Sequence, residues 1–190
     1  MIVITKGEFE KNKALLYRKI KQGSLFIYPT DTIYGIGCNA EDSKAVNKVR
    51  EAKNRPENPF SVIAPSIEWI KTNCIISKKA YSYLKKLPGP YTLILKLKNK
   101  RCIAKEVNNN LDSLGVRIPD HWIKDAVKEL NIPIVTTSAN IAGKAFMTDL
   151  GTLSATIMTK VGFIVYEGKK HGRPSEIVDL TKEKPVHKKR

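Results

Sequence analysis

Residues 24–56 read SLFIYPTDTIYGIGCNAEDSKAVNKVREAKNRP. Ser24 to Tyr28 is an apolar, β-rich run that Pro29 halts, because proline cannot donate to a strand ladder. Thr30, Asp31, Thr32, Tyr34, Gly35 and Gly37 then make a polar loop. Asp42 or Ser43 can cap a helix in which Ala45, Val46, Val49 and Ala52 recur at helical spacing. Pro56 ends it after Arg55, so Lys53 and Arg55 lie at its C-terminal end, where the dipole favours cations.

The same succession continues outward. Towards the N-terminus, Ile2–Thr5 reads as a strand and residues 8–21 as a helix with a stripe of Phe9, Ala14, Leu15 and Ile20, stopped by Gly23. Towards the C-terminus, strands are expected at 60–64, 91–97, 114–118, 134–137, 163–166 and 176–180. Helices are expected at 66–73, 77–86, 120–130 (capped by Asp120) and 148–160, with 98–110 read as irregular loop. Intermixed strands and helices without a repeat or linker predict a single α/β domain with a mixed sheet. The folded body is read as residues 1–181, followed by a basic tail at 182–190.

A chain of 190 residues can bury one substantial core. With 34 basic and 18 acidic side chains its formal charge is +16, which favours phosphate-bearing partners, nucleotides or RNA, without specifying a fold. No apolar run approaches the roughly 20 residues of a membrane span, and the start, MIVITKGEFEKNK, lacks a signal peptide's apolar centre. No membrane partner and a cytoplasmic location are therefore expected. Cys38, Cys74 and Cys102 stand too far apart for a zinc pair or a disulfide framework and are read as packing residues.

Several motifs fail on context. Gly35-Ile-Gly37-Cys-Asn-Ala40 matches G-x-G-x-x-A, but polar residues 29–34 separate it from its strand, and glycines serving a tight turn are the better account. Gly143-Lys144 lacks the first glycine and the Ser/Thr of a P-loop. His121, His171 and His187 have no partner at metal-ligand spacing, and His121 is read as a surface residue near a helix start; no metal site is expected. What remains is a set of polar residues at element ends: Thr30, Asp31 and Thr32, Lys53 and Arg55, Ser113 and Arg117, Ser138 and Asn140, and Ser175. Two cations beside short hydroxyls and amides can hold a triphosphate, and an arginine such as Arg117 suits a carboxylate. Individually, Lys53 and Arg55 are also explained as helix-end cations, and Ser138 and Asn140 as a cap or turn.

In order along the chain, YPTDTIYGIG at 28–37, KNRP at 53–56, PGPYT at 88–92, VRIPDH at 116–121 and SAN at 138–140 resemble the YrdC/TsaC family from about Ile2 to Leu180. The resemblance implies a twisted, largely open sheet with flanking helices and a basic concave face. It implies an L-threonylcarbamoyladenylate synthase, joining L-threonine, bicarbonate or carbon dioxide and ATP into threonylcarbamoyl-AMP and pyrophosphate, with Mg²⁺ accompanying the ATP. The product serves tRNA modification beside the anticodon, so tRNA or a downstream threonylcarbamoyl transferase are implied partners. Lys53, Arg55, Ser138 and Asn140 match the family's signature cluster; Asn58 and Ser113 match further nucleotide positions, and Arg190 or Lys189 a late phosphate-closing arginine. Thr30, Arg117, Thr136 and Ser175 match the threonine pocket. Ile63 stands where longer relatives carry a histidine. A non-catalytic RNA-binding protein of the same fold is the alternative; the carbamoyl-transfer domain of hydrogenase maturation proteins would bring zinc fingers that the scattered cysteines do not form.

Overall fold

The computed structural model describes residues 1–188; Lys189 and Arg190, and with them the expected phosphate-closing arginine, lie outside the described residues. In chain order the elements are β1 (Ile2–Ile4), α1 (Lys6–Lys11), α2 (Lys13–Lys21), β2 (Phe26–Tyr28), β3 (Gly35–Gly37), α3 (Ser43–Lys53) and β4 (Ser61–Ile63). They continue with α4 (Ile67–Asn73), α5 (Lys78–Leu84), β5 (Tyr91–Lys96), α6 (Lys105–Asn108), β6 (Ser113–Arg117) and α7 (Ile123–Leu130). The last are β7 (Ile134–Ser138), α8 (Ala155–Met158), β8 (Phe163–Val165), β9 (Glu176–Asp179) and β10 (Val186–Lys188). The strands form one mixed open sheet in the order β1-β8-β2-β3-β7-β4-β6-β5-β9-β10.

The period-2 alternation of the strands divides the core between the two faces of this sheet. Leu25, Ile27, Val62, Val116, Val135 and Ile164 join a cluster with residues of α3, α4, α5, α6 and α8. Their neighbours Phe26, Tyr28, Ile63, Ile134 and Phe163 join a second cluster under α1, α2 and α7. The three helices of this second layer cover only the β1-to-β4 half of their face. On β5, β6 and β9 the residues that alternate with Leu93, Val116 and Val178 are Thr92, Gly115 and Ile177, and these line a cavity instead of a helix interface. The candidate site straddles the boundary where that helical cover ends.

Five expectations need correction. The helix expected over 8–21 is two: Asn12 Nδ2 donates to Glu8 O at 2.8 Å, a side-chain bond that competes with helix propagation. Its buried stripe is Phe9, Leu16 and Ile20, while Leu15 is 43% exposed. Gly35 and Gly37 do not make a turn but form buried strand β3, antiparallel to both β2 and β7. The irregular stretch 98–110 contains a 3₁₀ turn at Lys100–Cys102 and α6, ended by Asn109 at φ 54°. The helix expected over 148–160 is a 3₁₀ turn, Leu150–Thr152, and the single turn α8, because Asp149 and Thr152 cap each other reciprocally. Asp120 does not cap α7, whose N-cap is Trp122; its backbone N–H instead donates to Asp31 Oδ2 at 3.0 Å.

The basic segment after Thr181 is not a loose tail either. Its Val186, His187 and Lys188 pair antiparallel with Asp179, Val178 and Ile177. Tyr83 Oη lies 2.9 Å from His187 Nε2, Glu176 Oε1 lies 2.6 Å from His187 Nδ1, and Lys79 donates to the carbonyls of Lys182 and Glu183. Lysines on an edge strand are a common guard against unwanted pairing, which accounts for the charge without requiring disorder.

Candidate functional site

Two cavities share Ser61 and Thr92: the smaller is lined by residues of β3, β7 and β4 together with Thr92 and Arg117, the larger mainly by residues of β5, β6 and β9 and the segments beside them. The smaller encloses about 90 Å³, room for several water-sized groups, and the larger about 360 Å³.

Thr30, Arg117, Thr136 and Ser175 all line the smaller cavity, although they are spread over 146 positions of chain (30 to 175). Their convergence follows from the topology: β4 lies between β6 and β7, so Arg117, at the end of β6, and Thr136, in the middle of β7, flank it from either side. Thr30 Oγ1 lies 2.9 Å from Thr32 Oγ1 and donates to Ile33 O at 2.7 Å, which fixes the 29–34 loop. Ser175 Oγ lies 2.8 Å from Thr92 Oγ1. Arg117 is the charged element. Its Nη2 donates to Asp31 Oδ1 at 2.6 Å, and its Nη1 reaches Thr32 Oγ1 at 3.4 Å. Its buried Nε has no hydrogen-bond partner among the described residues. A buried guanidinium N–H without a partner is uncommon in folded proteins, and this one belongs to a side chain that lines a hydroxyl-rich cavity. Burial holds the Arg117 pKa below its ordinary value, against the opposing pull of Asp31, but an arginine remains charged at any physiological pH.

The larger cavity is lined by Arg55, Phe60, Ser113, Asp179 and Lys182, among others. Arg55 donates to Pro59 O at 2.9 Å and its guanidinium lies 5.2 Å from the Phe60 ring centre. Its Nη1 also reaches Thr137 Oγ1 at 3.4 Å, next to the Ser138 turn. Lys53 is 1% exposed. Its Nζ donates to Ser138 O at 2.5 Å, Asn140 O at 2.6 Å and Asn140 Oδ1 at 3.2 Å. Ser138 Oγ in turn donates to Asn140 Oδ1 at 2.5 Å, and Asn140 Nδ2 donates to Lys144 O at 2.6 Å. Lys53, Ser138 and Asn140 therefore meet as one cluster, with Ser138 on the wall of the smaller cavity, while Arg55 reaches the neighbouring Thr137 and lines the larger one.

Asn58 does not join them. Its side chain is exposed and lines neither cavity, and its carbonyl accepts from Arg50 Nη1 at 3.1 Å. Ile63 is fully buried in the apolar cluster under α7 and lines neither cavity. Ser61, Thr92 and Tyr34 line the smaller cavity although the sequence assigned them no role in it, and Asp31, expected among the polar residues at element ends, pairs with Arg117. A hydroxyl residue inside an apolar strand, as in Ser61-Val62-Ile63 and Tyr91-Thr92-Leu93, was the available signal. Tyr34 accepts from Glu167 N and donates to Gly168 O at 2.6 Å; burial pushes its pKa up to about 12, so the hydroxyl stays protonated. Burial likewise raises the thiols, Cys74 to about 12 and Cys102 to about 11, so they behave as packing groups. His121 is not a free surface residue: its Nε2 lies 3.0 Å from Glu167 Oε2.

The family model of the Sua5, YciO and YrdC proteins, described as telomere recombination, matches residues 18–190. The chain belongs to the Sua5/YciO/YrdC family. A protein of Methanocaldococcus jannaschii provisionally named as a threonylcarbamoyl-AMP synthase is 37% identical over 188 residues, 95% of this chain and 86% of the relative. The threonylcarbamoyl-AMP synthase of Pyrococcus abyssi is 35% identical over 172 residues, 88% of this chain but 50% of the relative, so the chain spans about half of that protein's length. A crystal structure of P. abyssi Sua5 with L-threonine superposes with a TM-score of 0.87 at 32% identity, covering 98% of this chain and 56% of that one. Escherichia coli YciO, at 24% identity and a TM-score of 0.82 over 99% of this chain and 92% of its own, shares the fold. The mixed open sheet with flanking helices is thus the fold of the Sua5/YciO/YrdC family. Among the described residues no helix is long and apolar enough to cross a membrane.

Proposed function

We propose that this Sua5/YciO/YrdC protein is an L-threonylcarbamoyladenylate synthase, a nucleotidyltransferase converting L-threonine, bicarbonate or carbon dioxide and ATP into threonylcarbamoyl-AMP and pyrophosphate. The observation that carries the reading is the adjacency of the two cavities: a small, hydroxyl-lined one holding a buried arginine with an unpaired N–H, sharing Ser61 and Thr92 with a larger one edged by Arg55. The first suits an amino-acid carboxylate and side-chain hydroxyl, the second a nucleotide. The relatives named as synthases, and the neighbour complexed with L-threonine, support the same assignment.

In this reading the Arg117 guanidinium takes the threonine carboxylate, with Thr30, Thr136 and Ser175 around the amino acid. The neutral amine adds to carbon dioxide. The carbamate oxygen attacks the α-phosphorus in line with the departing pyrophosphate, so catalysis is positioning and charge neutralisation without a protein nucleophile. Arg55 neutralises phosphate charge, with Ser113 beside it on the wall of the larger cavity; Lys53, by gripping two carbonyls of the 138–140 turn, sets Ser138 and Asn140 for the same task. Mg²⁺ fits as the companion of ATP. Asp179, a carboxylate on the larger cavity, already accepts from Thr181 N and Oγ1 at 2.9 and 2.6 Å, so phosphate oxygens would supply most ligands. We read the site's concave face as basic and the product as passing to tRNA modification in the cytoplasm, through tRNA or a downstream transferase.

The test is pyrophosphate release from ATP, expected only with threonine and bicarbonate both present. Salt-sensitive tRNA binding with no such turnover would instead favour the RNA-binding alternative, which the +16 charge makes the natural competitor.

A further inference from the structure

Residues 54–60, which carry Arg55 and Phe60 to the edge of the larger cavity, contain no helix or strand. Their shape is imposed by one side chain. Arg50, on the last turn of α3, is 8% exposed and is not among the residues lining the larger cavity. Its Nη1 donates to three carbonyls of the segment, Arg55 O and Pro56 O at 2.9 Å and Asn58 O at 3.1 Å. The other edge of the guanidinium is held by α6: Nε and Nη2 donate to Glu106 O at 2.9 and 2.6 Å, and Nη2 to Asn109 Oδ1 at 2.7 Å. Asn109 closes the ring by donating from Nδ2 to Glu57 O. The face of the same guanidinium packs 4.6 Å from the Phe60 ring centre, the ring that Arg55 also flanks.

We infer that Arg50 is a positioning residue for the nucleotide half of the reaction, fixing the 54–60 segment so that Arg55 and Phe60 are presented to ATP in one geometry. The chemistry calls for arginine. Carbonyls from residues 55, 56 and 58 converge on one edge and those of 106 and the Asn109 amide on the other, about a guanidinium's width apart. A lysine ammonium carries its three donors on one atom and cannot bridge both sets. Without the fork, several partly buried carbonyls lose their donor, and the segment relaxes toward water. Threonine recognition draws on the 29–34 loop, Arg117, Thr136 and Ser175, none of which Arg50 touches, so the two substrates should respond differently.

The kinetic part of this inference rests on the synthase reading; the structural part does not. The experiment compares wild type with Arg50→Lys and with Asn109→Gly, the latter keeping the left-handed backbone at φ 54° while deleting the amide clamp. Amide hydrogen exchange is read at Arg55 and Phe60, whose N–H groups donate to Arg50 O and Val107 O at 3.0 and 2.8 Å. Calorimetry reads ATP and threonine binding separately, and steady-state kinetics the KM for each. In Arg50→Lys we expect faster exchange at both amides and an ATP KM raised on the order of tenfold to a hundredfold, with threonine affinity within about twofold of wild type; Asn109→Gly should move the same way by less. A folded Arg50→Lys protein with wild-type exchange and wild-type ATP binding overturns the inference, as does an equal loss for both substrates, which would mark a general structural role. If wild type itself shows no turnover, the synthase reading fails while the exchange arm still decides whether Arg50 holds the segment.

Discussion

Arg117 Nη2 and Asp31 Oδ1 are 2.6 Å apart, with only 6% and 12% of the two side chains open to solvent. Asp31 uses its second oxygen to accept from Asp120 N at 3.0 Å, so one carboxylate ties the 29–34 loop to the end of β6 and to the turn before α7. A pair so enclosed adds little net stability when intact, but removing one partner strands the other charge in low dielectric. Asp31→Ala should therefore lower unfolding free energy by about 3–5 kcal/mol in urea denaturation, well beyond the effect of an exposed ion pair. A loss below about 1 kcal/mol would mean that Arg117 finds water in its place and that the pair does not organise the smaller cavity.

Lys53 presents a different case, because it donates to the carbonyls of Ser138 and Asn140. Lys53→Ala leaves Ser138 O and Asn140 O without this donor and frees the turn that bears Ser138 and Asn140. Pyrophosphate release should drop by on the order of a hundredfold or more, as when a preorganised charge stabiliser is removed. Near-normal threonine- and bicarbonate-dependent turnover would refute the placement of this cluster in catalysis.

Gly37 tests how the fold was written in the sequence. A Cβ there would sit 2.2 Å from Val135 O and 2.9 Å from the Tyr28 ring, so the glycine permits β3 to lie against β7. Gly37→Ala should cost about 1–3 kcal/mol from overpacking, measured as a lower Tm at unchanged ligand response; a neutral effect would show that the contact can relax. The strand was illegible beforehand because Gly-Ile-Gly after a polar loop carries turn chemistry and no alternation. Strands with alternating or continuous aliphatic runs, such as those at 91–96 and 113–117, were legible to within a residue or two. Val186-His187-Lys188 was not, since a charged edge strand looks like a solvated tail. The site divides similarly. Cations and hydroxyls at element ends announced themselves. Ser61 and Thr92 did not, because which face of a strand a residue occupies depends on pairing between distant segments.

Thr92 offers a conservative probe of the smaller cavity. Its Oγ1 pairs with Ser175 Oγ at 2.8 Å, and valine has nearly the same shape without the hydroxyl. Thr92→Val should weaken threonine binding by about 1 kcal/mol, roughly fivefold, through loss of one neutral hydrogen bond, with ATP binding unaffected. Calorimetry showing unchanged threonine affinity would place the amino acid elsewhere.

The His121–Glu167 contact predicts a pH dependence whose sign follows from burial. Burial lowers the His121 pKa from its ordinary 6.5, and the favourable charge and hydrogen bond of Glu167 only partly offset it. Glu167 is itself held below 4.5: burial would raise it, but hydrogen bonds from Trp122, His121 and Lys170 prevail. In the window just below pH 6.5 the unfolded chain therefore takes up a proton that folded His121 resists, so stability is full above that pH and falls as the solution is acidified. The Glu167 contribution has the same sign but is lost at lower pH, below about 4.5. Replacing the imidazole in His121→Asn removes the first step and leaves the part of the second that rests on Trp122 and Lys170. Unfolding free energy of wild type should decline as the pH falls below about 6.5, while His121→Asn stays flatter there and declines only at the lower pH where Glu167 titrates. A wild-type protein that grows more stable on acidification through this range would mean that the charged imidazolium is the folded form and that Glu167, not burial, governs the contact.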